Sequence, residues 1–486
     1  MSRHKWIVFL LVLGALVVRL IGIDQPFIDP WSWRQNDVAA MARNFFENGF
    51  HFAWPQIDWA GEQPGYVGTE FPILPFAAAL CYKVTGVPEW VGRMQGVLAF
   101  VVALPFFFLL VRQLFGVVAA GWATFFYAFA PLGIVASRAF MPDVPSLSLG
   151  IVGIYFFCHW IERNDRRSLI VSALLISLAL LIKIPTTVIG APLLYLIWRR
   201  FRWGAAQRWE VWLFAFVVLA PSALWYWHAH RIAQDFYPHH FFGGGGFRVM
   251  PAMWYWGIAQ QTVRSSLTLV LFVLAIAGVC ALPRAKYALL FHWWLAAMIA
   301  FIFIVGWGNR HQWYQLPLVP IAAALAGAAC ARVPAHFAWP RAFLALGAVL
   351  VTASFGFSSY FCARPFYRSA AAGLRNLGLE LREATNANAL IIAADDGDPT
   401  VFYYAHRKGW HFPEDGIYQG NPLDSAQLIT NLEKLRGRGA SHLVFYAGTL
   451  WWLDYHAEFA QRLATTATLV EKTPEFAIYK LQPTVP

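Results

Sequence analysis

The sequence predicts an all-α polytopic membrane domain followed by a small C-terminal α/β domain. Three observations predict it. Of 486 residues, 59 % are hydrophobic and only 13 % are charged, far from the usual composition of soluble chains. About eleven stretches are long and apolar enough to span a bilayer. Beyond Cys362 the composition changes, and strand-like runs begin to alternate with helical ones. The division expected is a transmembrane domain over residues 1–362 and a soluble domain over 363–486.

The formal net charge is +11. Its Lys and Arg residues lie between hydrophobic spans, so membrane lipids and not nucleic acid are the expected partner. Five cysteines are scattered without CxxC or zinc spacing and read as packing thiols.

The chain opens with "MSRHKWIVFLLVLGALVVRLIGI", a basic flank and a long apolar run without a small-residue cleavage site. It is expected to be a retained first span. Further hydrophobic centres fall near residues 103, 126, 152, 176, 192, 219, 273, 297, 323 and 350. Alternate loops carry Arg3 and Lys5, Arg112, Arg163, Arg166 and Arg167, Arg199 to Arg208, Arg284 and Lys286, and Arg332 and Arg341. The positive-inside rule makes that face, and the N-terminus, cytoplasmic. The other loops, and the C-terminal domain, are then extracytoplasmic.

Between the first two centres stands "DPWSWRQNDVAAMARNFFENG". Val38, Met41, Ala42 and Phe45 recur at i, i+3, i+4 and i+7, one apolar stripe of a helix. Ser32 with Gln35 fits a capping box, Asp29-Pro30 is a second start signal, and Asn48-Gly49 is a stop. An amphipathic helix of this kind suits the outer membrane surface. Arg34 and Asp37 share an edge of it, either as a solvated ion pair or as a general base with a cation beside it.

Other loops on that face carry compatible groups. Glu70 stands in "YVGTEFPILPF", Arg138 and Asp143 in "SRAFMPDVPS", Lys183 in "LLIKIPTT", and Arg310, His311, Tyr314 and Gln315 in "GWGNRHQWYQLPLVP". Taken singly, Lys183 reads as snorkelling, Arg138 with Asp143 as a loop salt bridge, and His311 as an interfacial histidine. Together they provide cations for phosphate oxygens and carboxylates for activating an acceptor. The 229–264 loop, with "GGGG" at Gly243–Gly246, reads as a mobile lid. His239–His240 lacks an i, i+4 partner, so no metal ligands are assigned, and a divalent metal stays open as an alternative.

In the tail, "ANALIIAADD", "SHLVFY" and "FAIYKL" read as strands. "DPTVFYYAHRKG" reads as a helix capped by Asp398 and stopped at Gly409. "DSAQLITNLEKLRGRG" and "LDYHAEFAQRLATT" read as two more helices. The acids of "AADDGDPT" read as capping and solubility.

The pattern resembles the GT-C glycosyltransferases, in particular the aminoarabinose (lipid A) transferases and protein O-mannosyltransferases. It is carried by the first span, the acid-bearing helix in the first large outer loop, a Pro-flanked motif, the many spans and the outward C-terminal unit. Aligning the family's Ala-Arg on Ala42-Arg43 puts its leading acids on Arg34-Gln35; the acid here is Asp37, one turn later. "EFP" at Glu70–Pro72 stands near the family's His/Lys-Pro-Pro motif. Lys183-Ile184-Pro185 and His311–Leu318 resemble late-span motifs. The resemblance implies an inverting glycosyltransferase of a bacterial inner (plasma) membrane. It would move a sugar from a polyprenyl-phosphate donor, such as undecaprenyl phosphate, to a lipid, glycan or protein acceptor. Asp37 would be the base, with Glu70 sharing that role or positioning the acceptor. Arg138, Lys183 and His311 would hold the donor phosphate, Arg34 would orient Asp37, and Tyr314 and Gln315 would shape the cavity. The alternatives are a flippase of lipid-linked sugars, a glycan ligase using a polyprenyl-diphosphate carrier, and a non-catalytic scaffold.

Overall fold

Every hydrophobic centre expected above falls within a helix of the computed structural model, which describes residues 3–242, 246–281, 285–336, 340–414 and 424–483. Among the described residues, six helices are long and apolar enough to cross a membrane: Glu89–Phe115, Asp143–Arg163, Trp209–Asp235, Leu290–Arg310, Gln312–Arg332 and Arg341–Ala384. Two bent pairs raise the number to eight. The centres near 14, 176 and 192 lie in Arg3–Leu20, Arg166–Ile182 and Gly190–Phe201, which are shorter or carry more charge. The chain is a multi-pass membrane protein.

The bends have local causes. Val117–Phe129 meets Pro131–Ser137 at 55°, because Ala130, the residue before Pro131, is forced to an extended ψ of 134°. Ala252–Leu267 turns by 106° into Leu269–Cys280 at Thr268, whose φ is 78°. Gln315 secures that turn: its amide oxygen accepts from the Thr262 and Ser266 hydroxyls (2.9 and 2.8 Å), and its amide nitrogen donates to Gln261.

The chain forms two compact units from non-consecutive stretches. The first comprises Met1–Ile23, Gly92–Trp227 and Gly243–Tyr367; the second comprises Asp24–Val91, His228–Phe242 and Arg368–Pro486. In the first unit, helices approach closely at small residues. A Cβ on Gly278 would lie 2.0 Å from the Leu325 carbonyl oxygen, so only glycine allows this packing. Arg19, at the end of the first helix, is fully buried; it donates to Ser137 Oγ at 2.6 Å and stacks on Phe100.

The second unit holds a five-stranded sheet: β1 (Leu390–Ala394), β2 (Lys408–His411), β3 (His442–Tyr446), β4 (Ala467–Lys472) and β5 (Phe476–Leu481), in the order β2-β1-β3-β5-β4. β1 is parallel to β2 and β3, while β5 is antiparallel to β3 and β4. The expected strands form β1, β3 and β5. Ser425–Gly437 is a helix with a complete capping box from Asp424 and Gln427. Three details differ from expectation. The helix after β1 ends at Ala405, and Gly409 lies inside β2. "LDYHAEFAQRLATT" breaks into Trp452–Tyr455 and Ala457–Thr466. Strand β4 is fully buried only at Ala467, and its sequence has no apolar alternation to announce it.

The segment "DPWSWRQNDVAAMARNFFENG" is a helix over Ser32–Glu47 with Asn48 as C-cap. It is not an amphipathic surface helix: all but a few of its residues are buried, polar ones included. The Ser32–Gln35 capping box does not form. Gln35 Nε2 donates to both Asp29 oxygens, and the Ser32 hydroxyl donates to Asp398 Oδ2 at 2.6 Å. Buried polar groups need partners, and this helix finds them in chain that is distant in sequence.

Candidate active site

The second unit gathers buried charge around the Ser32–Glu47 helix. Arg34 Nη2 donates to both Glu70 oxygens (2.9 and 2.7 Å), and the Thr69 hydroxyl donates to Glu70 at 3.0 Å. The Arg34 guanidinium also lies over Phe242, 4.6 Å from the ring centre. About two and a half turns further on, Arg43 donates to Asp58 Oδ2 and to the Tyr403 carbonyl, and Asn44 donates to Asp58 Oδ1. These contacts tie the helix to the 50s segment and to the Thr400–Ala405 helix.

Asp37 lies between these pairs along the helix. It is 3 % exposed and accepts one hydrogen bond among the described residues, from the Trp59 indole N–H at 2.9 Å. Burial raises its carboxyl to about 7, against the opposing pull of the Trp59 hydrogen bond and the charges of Arg34 and His411. The Trp59 ring is flanked by two imidazoles, His240 at 5.3 Å and His411 at 5.0 Å. Burial lowers His240 to about 4, with Arg34 and His411 adding to the effect, so it is neutral at pH 7. His411 in turn contacts the buried carboxylate of Asp395 through Nδ1, at 2.7 and 2.9 Å.

The first unit carries a separate group. Lys183, 4 % exposed, follows the Arg166–Ile182 helix as its C-cap and lies 3.6 Å from Asp143 Oδ1. It also lies 5.5 Å from the Tyr314 ring centre. Arg138 is buried, donates to the Gly22 carbonyl at 2.6 Å and stacks on Tyr367. His311 stacks on Trp313 with the rings 3° from parallel. Arg310 is exposed beside Trp307.

Residues 67–227 match the family model described as dolichyl-phosphate-mannose-protein mannosyltransferase. No curated protein matches the chain by sequence. Among solved structures, the chain is similar to ArnT from Cupriavidus metallidurans bound to undecaprenyl phosphate. The TM-score is 0.71 at 16 % identity, covering 99 % of this chain and 98 % of that one. It is also similar to the Archaeoglobus fulgidus oligosaccharyltransferase in complex with Zn and sulfate (TM-score 0.64, 13 % identity, 96 % and 72 % covered). The same archaeal enzyme, AglB, with an inhibitory peptide and a dolichol-phosphate gives a TM-score of 0.63 at 12 % identity, over 100 % and 75 % of the two chains.

The fold is GT-C-like. Within this GT-C-like chain, the predicted residues separate by unit. Arg34, Asp37 and Glu70 lie in the second, and Arg138, Asp143, Lys183, Arg310, His311, Tyr314 and Gln315 in the first. Arg34 Nη2 donates to Glu70, and among the described residues the hydrogen bond to Asp37 comes from Trp59. Lys183 does not snorkel, because it is buried against Asp143. Gln315 is buried and committed to the Thr262–Leu267 turn, so it is a structural residue there. The Asp-rich loop is more than a cap. Asp398 does accept from the Thr400 N–H, but Asp395 is buried on His411. Of the 229–264 loop, Gly243–Gly245 lie outside the described residues, while His240 joins the second unit's polar group.

Trp59, His240, His411 and Asp395 were not legible as site residues. The only signals were the His239–His240 doublet and the Asp395–Asp398 acids, both of which have ordinary explanations in sequence. Among the described residues, no three His, Cys, Asp or Glu side chains are placed to hold a metal ion.

Proposed function

We propose that the protein is a glycosyltransferase that moves a sugar from a polyprenyl-phosphate donor to an extracytoplasmic acceptor, with inversion, using Asp37 as general base. One observation carries this reading: a buried carboxyl on the first-loop helix, with a single hydrogen bond among the described residues and its proton affinity raised to about 7. Such a group is partly ionised at neutral pH yet basic enough to take a hydroxyl proton. The GT-C-like fold and the mannosyltransferase match over residues 67–227 support the reaction class. The undecaprenyl phosphate bound by ArnT supports the lipid-linked donor.

The proton of the acceptor hydroxyl passes to Asp37 Oδ2 as the acceptor oxygen bonds to the anomeric carbon. The bond from that carbon to the phosphate oxygen breaks on the opposite side. Its electron pair leaves with the phosphate as polyprenyl phosphate. Glu70 is offered as an acceptor-orienting carboxylate, with Arg34 holding it. Lys183, Arg138 and His311 are offered as the groups that neutralise the leaving phosphate. The acceptor is a lipid, glycan or protein hydroxyl, and the setting is a bacterial plasma membrane with the N-terminus cytoplasmic.

The test incubates purified protein with a panel of polyprenyl-phosphate sugars and measures released polyprenyl phosphate. Release is expected for one donor. Asp37→Asn is expected to lose on the order of 10²–10⁴ in rate while still binding polyprenyl phosphate. Wild-type release by Asp37→Asn removes Asp37 as base. No release by the wild type with any donor refutes the transferase reading in favour of transport.

A further inference from the structure

The sheet of the second unit places an acid–imidazole pair against the residue that hydrogen-bonds Asp37. Asp395 directly follows β1 and His411 is the last residue of β2, so both stand at the carboxyl ends of adjacent parallel strands. Open α/β sheets present functional groups at that edge. His411 is 4 % exposed and Asp395 1 %. The contact of Nδ1 with both Asp395 oxygens fixes the imidazole orientation and puts its proton on Nδ1. Its ring lies against the Trp59 indole, whose N–H is on Asp37. Phe402 also meets the His411 ring edge-on. Nothing in the strand pairing requires an aspartate–histidine pair here; an apolar pair would fill the space without desolvating charge.

We infer that His411, held by Asp395, is a positioning residue for Asp37: its ring fixes the Trp59 indole so that the N–H stays on the carboxylate. This rests on Asp37 being the base. The C-terminal sheet thereby belongs to the chemistry of the acid-bearing helix. The groups facing Asp37 by charge are Arg34, His411 and Asp398, and those facing His411 are Asp37, His240, Asp395 and Asp398. Among these only His411 touches the Trp59 ring and is also held by a buried carboxylate. The Asp395–His411 pair transfers no proton to substrate, and the bonds made and broken stay those already described.

The test uses the full-length protein in detergent and two readouts. The first is the pH profile of kcat for His411→Ala, His411→Asn and Trp59→Phe. His411→Asn keeps a donor toward Asp395 but removes the ring that packs on Trp59. The acid limb is expected to move to higher pH by about one unit in His411→Ala and by less in His411→Asn, with the donor KM unchanged. The double variant with Trp59→Phe should shift less than the sum of the singles. The second readout needs no turnover. It is the pH dependence of dicyclohexylcarbodiimide labelling at Asp37, followed by peptide mass spectrometry, since this reagent takes the protonated carboxyl. The labelling midpoint should rise in His411→Ala. An unmoved midpoint and limb in a folded His411→Ala protein overturn the inference. An inactive wild type with a moved midpoint would count against the transferase reading alone.

Discussion

Removing the Trp59 N–H isolates what sets the working pH of Asp37. Trp59→Phe keeps a ring between His240 and His411 and deletes the 2.9 Å hydrogen bond to Oδ1. A hydrogen bond to a charged group is worth about 1.5–3 kcal/mol. At about 1.4 kcal/mol per pH unit, its loss raises the Asp37 carboxyl by roughly one to two units. Starting from about 7, the group is about half ionised at pH 7 in the wild type, and on the order of a tenth to a hundredth ionised in the variant. The rate at pH 7 should therefore fall by roughly 5- to 50-fold and recover as pH rises, because the base must be ionised to accept a proton. The assay is polyprenyl phosphate release from pH 5 to 9.5. A loss equal at every pH, or an acid limb left in place, refutes this account of Asp37.

Further outcomes follow from the same geometry. Asp37→Asn should raise thermal stability at pH 8 while slowing transfer. The folded carboxyl is raised from 3.8 to about 7, so its contribution to stability is complete below 3.8 and is lost as pH rises through 7. The wild-type melting temperature in detergent should thus fall between pH 5 and 8, and that of the variant should fall less. Asp58→Ala strands buried Arg43 and should cost about 3–5 kcal/mol, whereas Asp58→Asn should cost less; thermal aggregation midpoints distinguish them. Gly278→Ala should lower the yield of folded protein, since its Cβ meets the Leu325 carbonyl, whereas Gly347→Ala has nothing within 4 Å and should behave as wild type; detergent gel filtration compares them.

Much of this protein was legible because it depends on local physics. Each apolar run near a hydrophobic centre becomes a helix, since the polar backbone groups of a segment in lipid must hydrogen-bond to one another. Asp424 with Gln427 starts its helix as written, because a capping box spans only four residues. The strand of "KGWH" was missed because Gly409 reads locally as a helix stop, while its backbone is claimed by β1 across the sheet.

The acid on the first-loop helix was also visible, but its surroundings were not. A hydrophobic stripe announces which residues can be buried and is silent on polar residues buried with them. Ser32 meets Asp398, Asn36 meets Thr400 and Arg43 meets Tyr403 across more than 300 residues. Sequence alone therefore determined the helical membrane architecture, the strand-bearing tail and the candidate acid, Asp37. Tertiary structure decided that the helix is buried instead of interfacial, that Arg34 serves Glu70, and that Trp59 and His411 set the environment of Asp37. The reason is that a carboxyl's proton affinity depends on desolvation and on partners brought in by the fold, and neither is encoded within one helical turn of the residue itself.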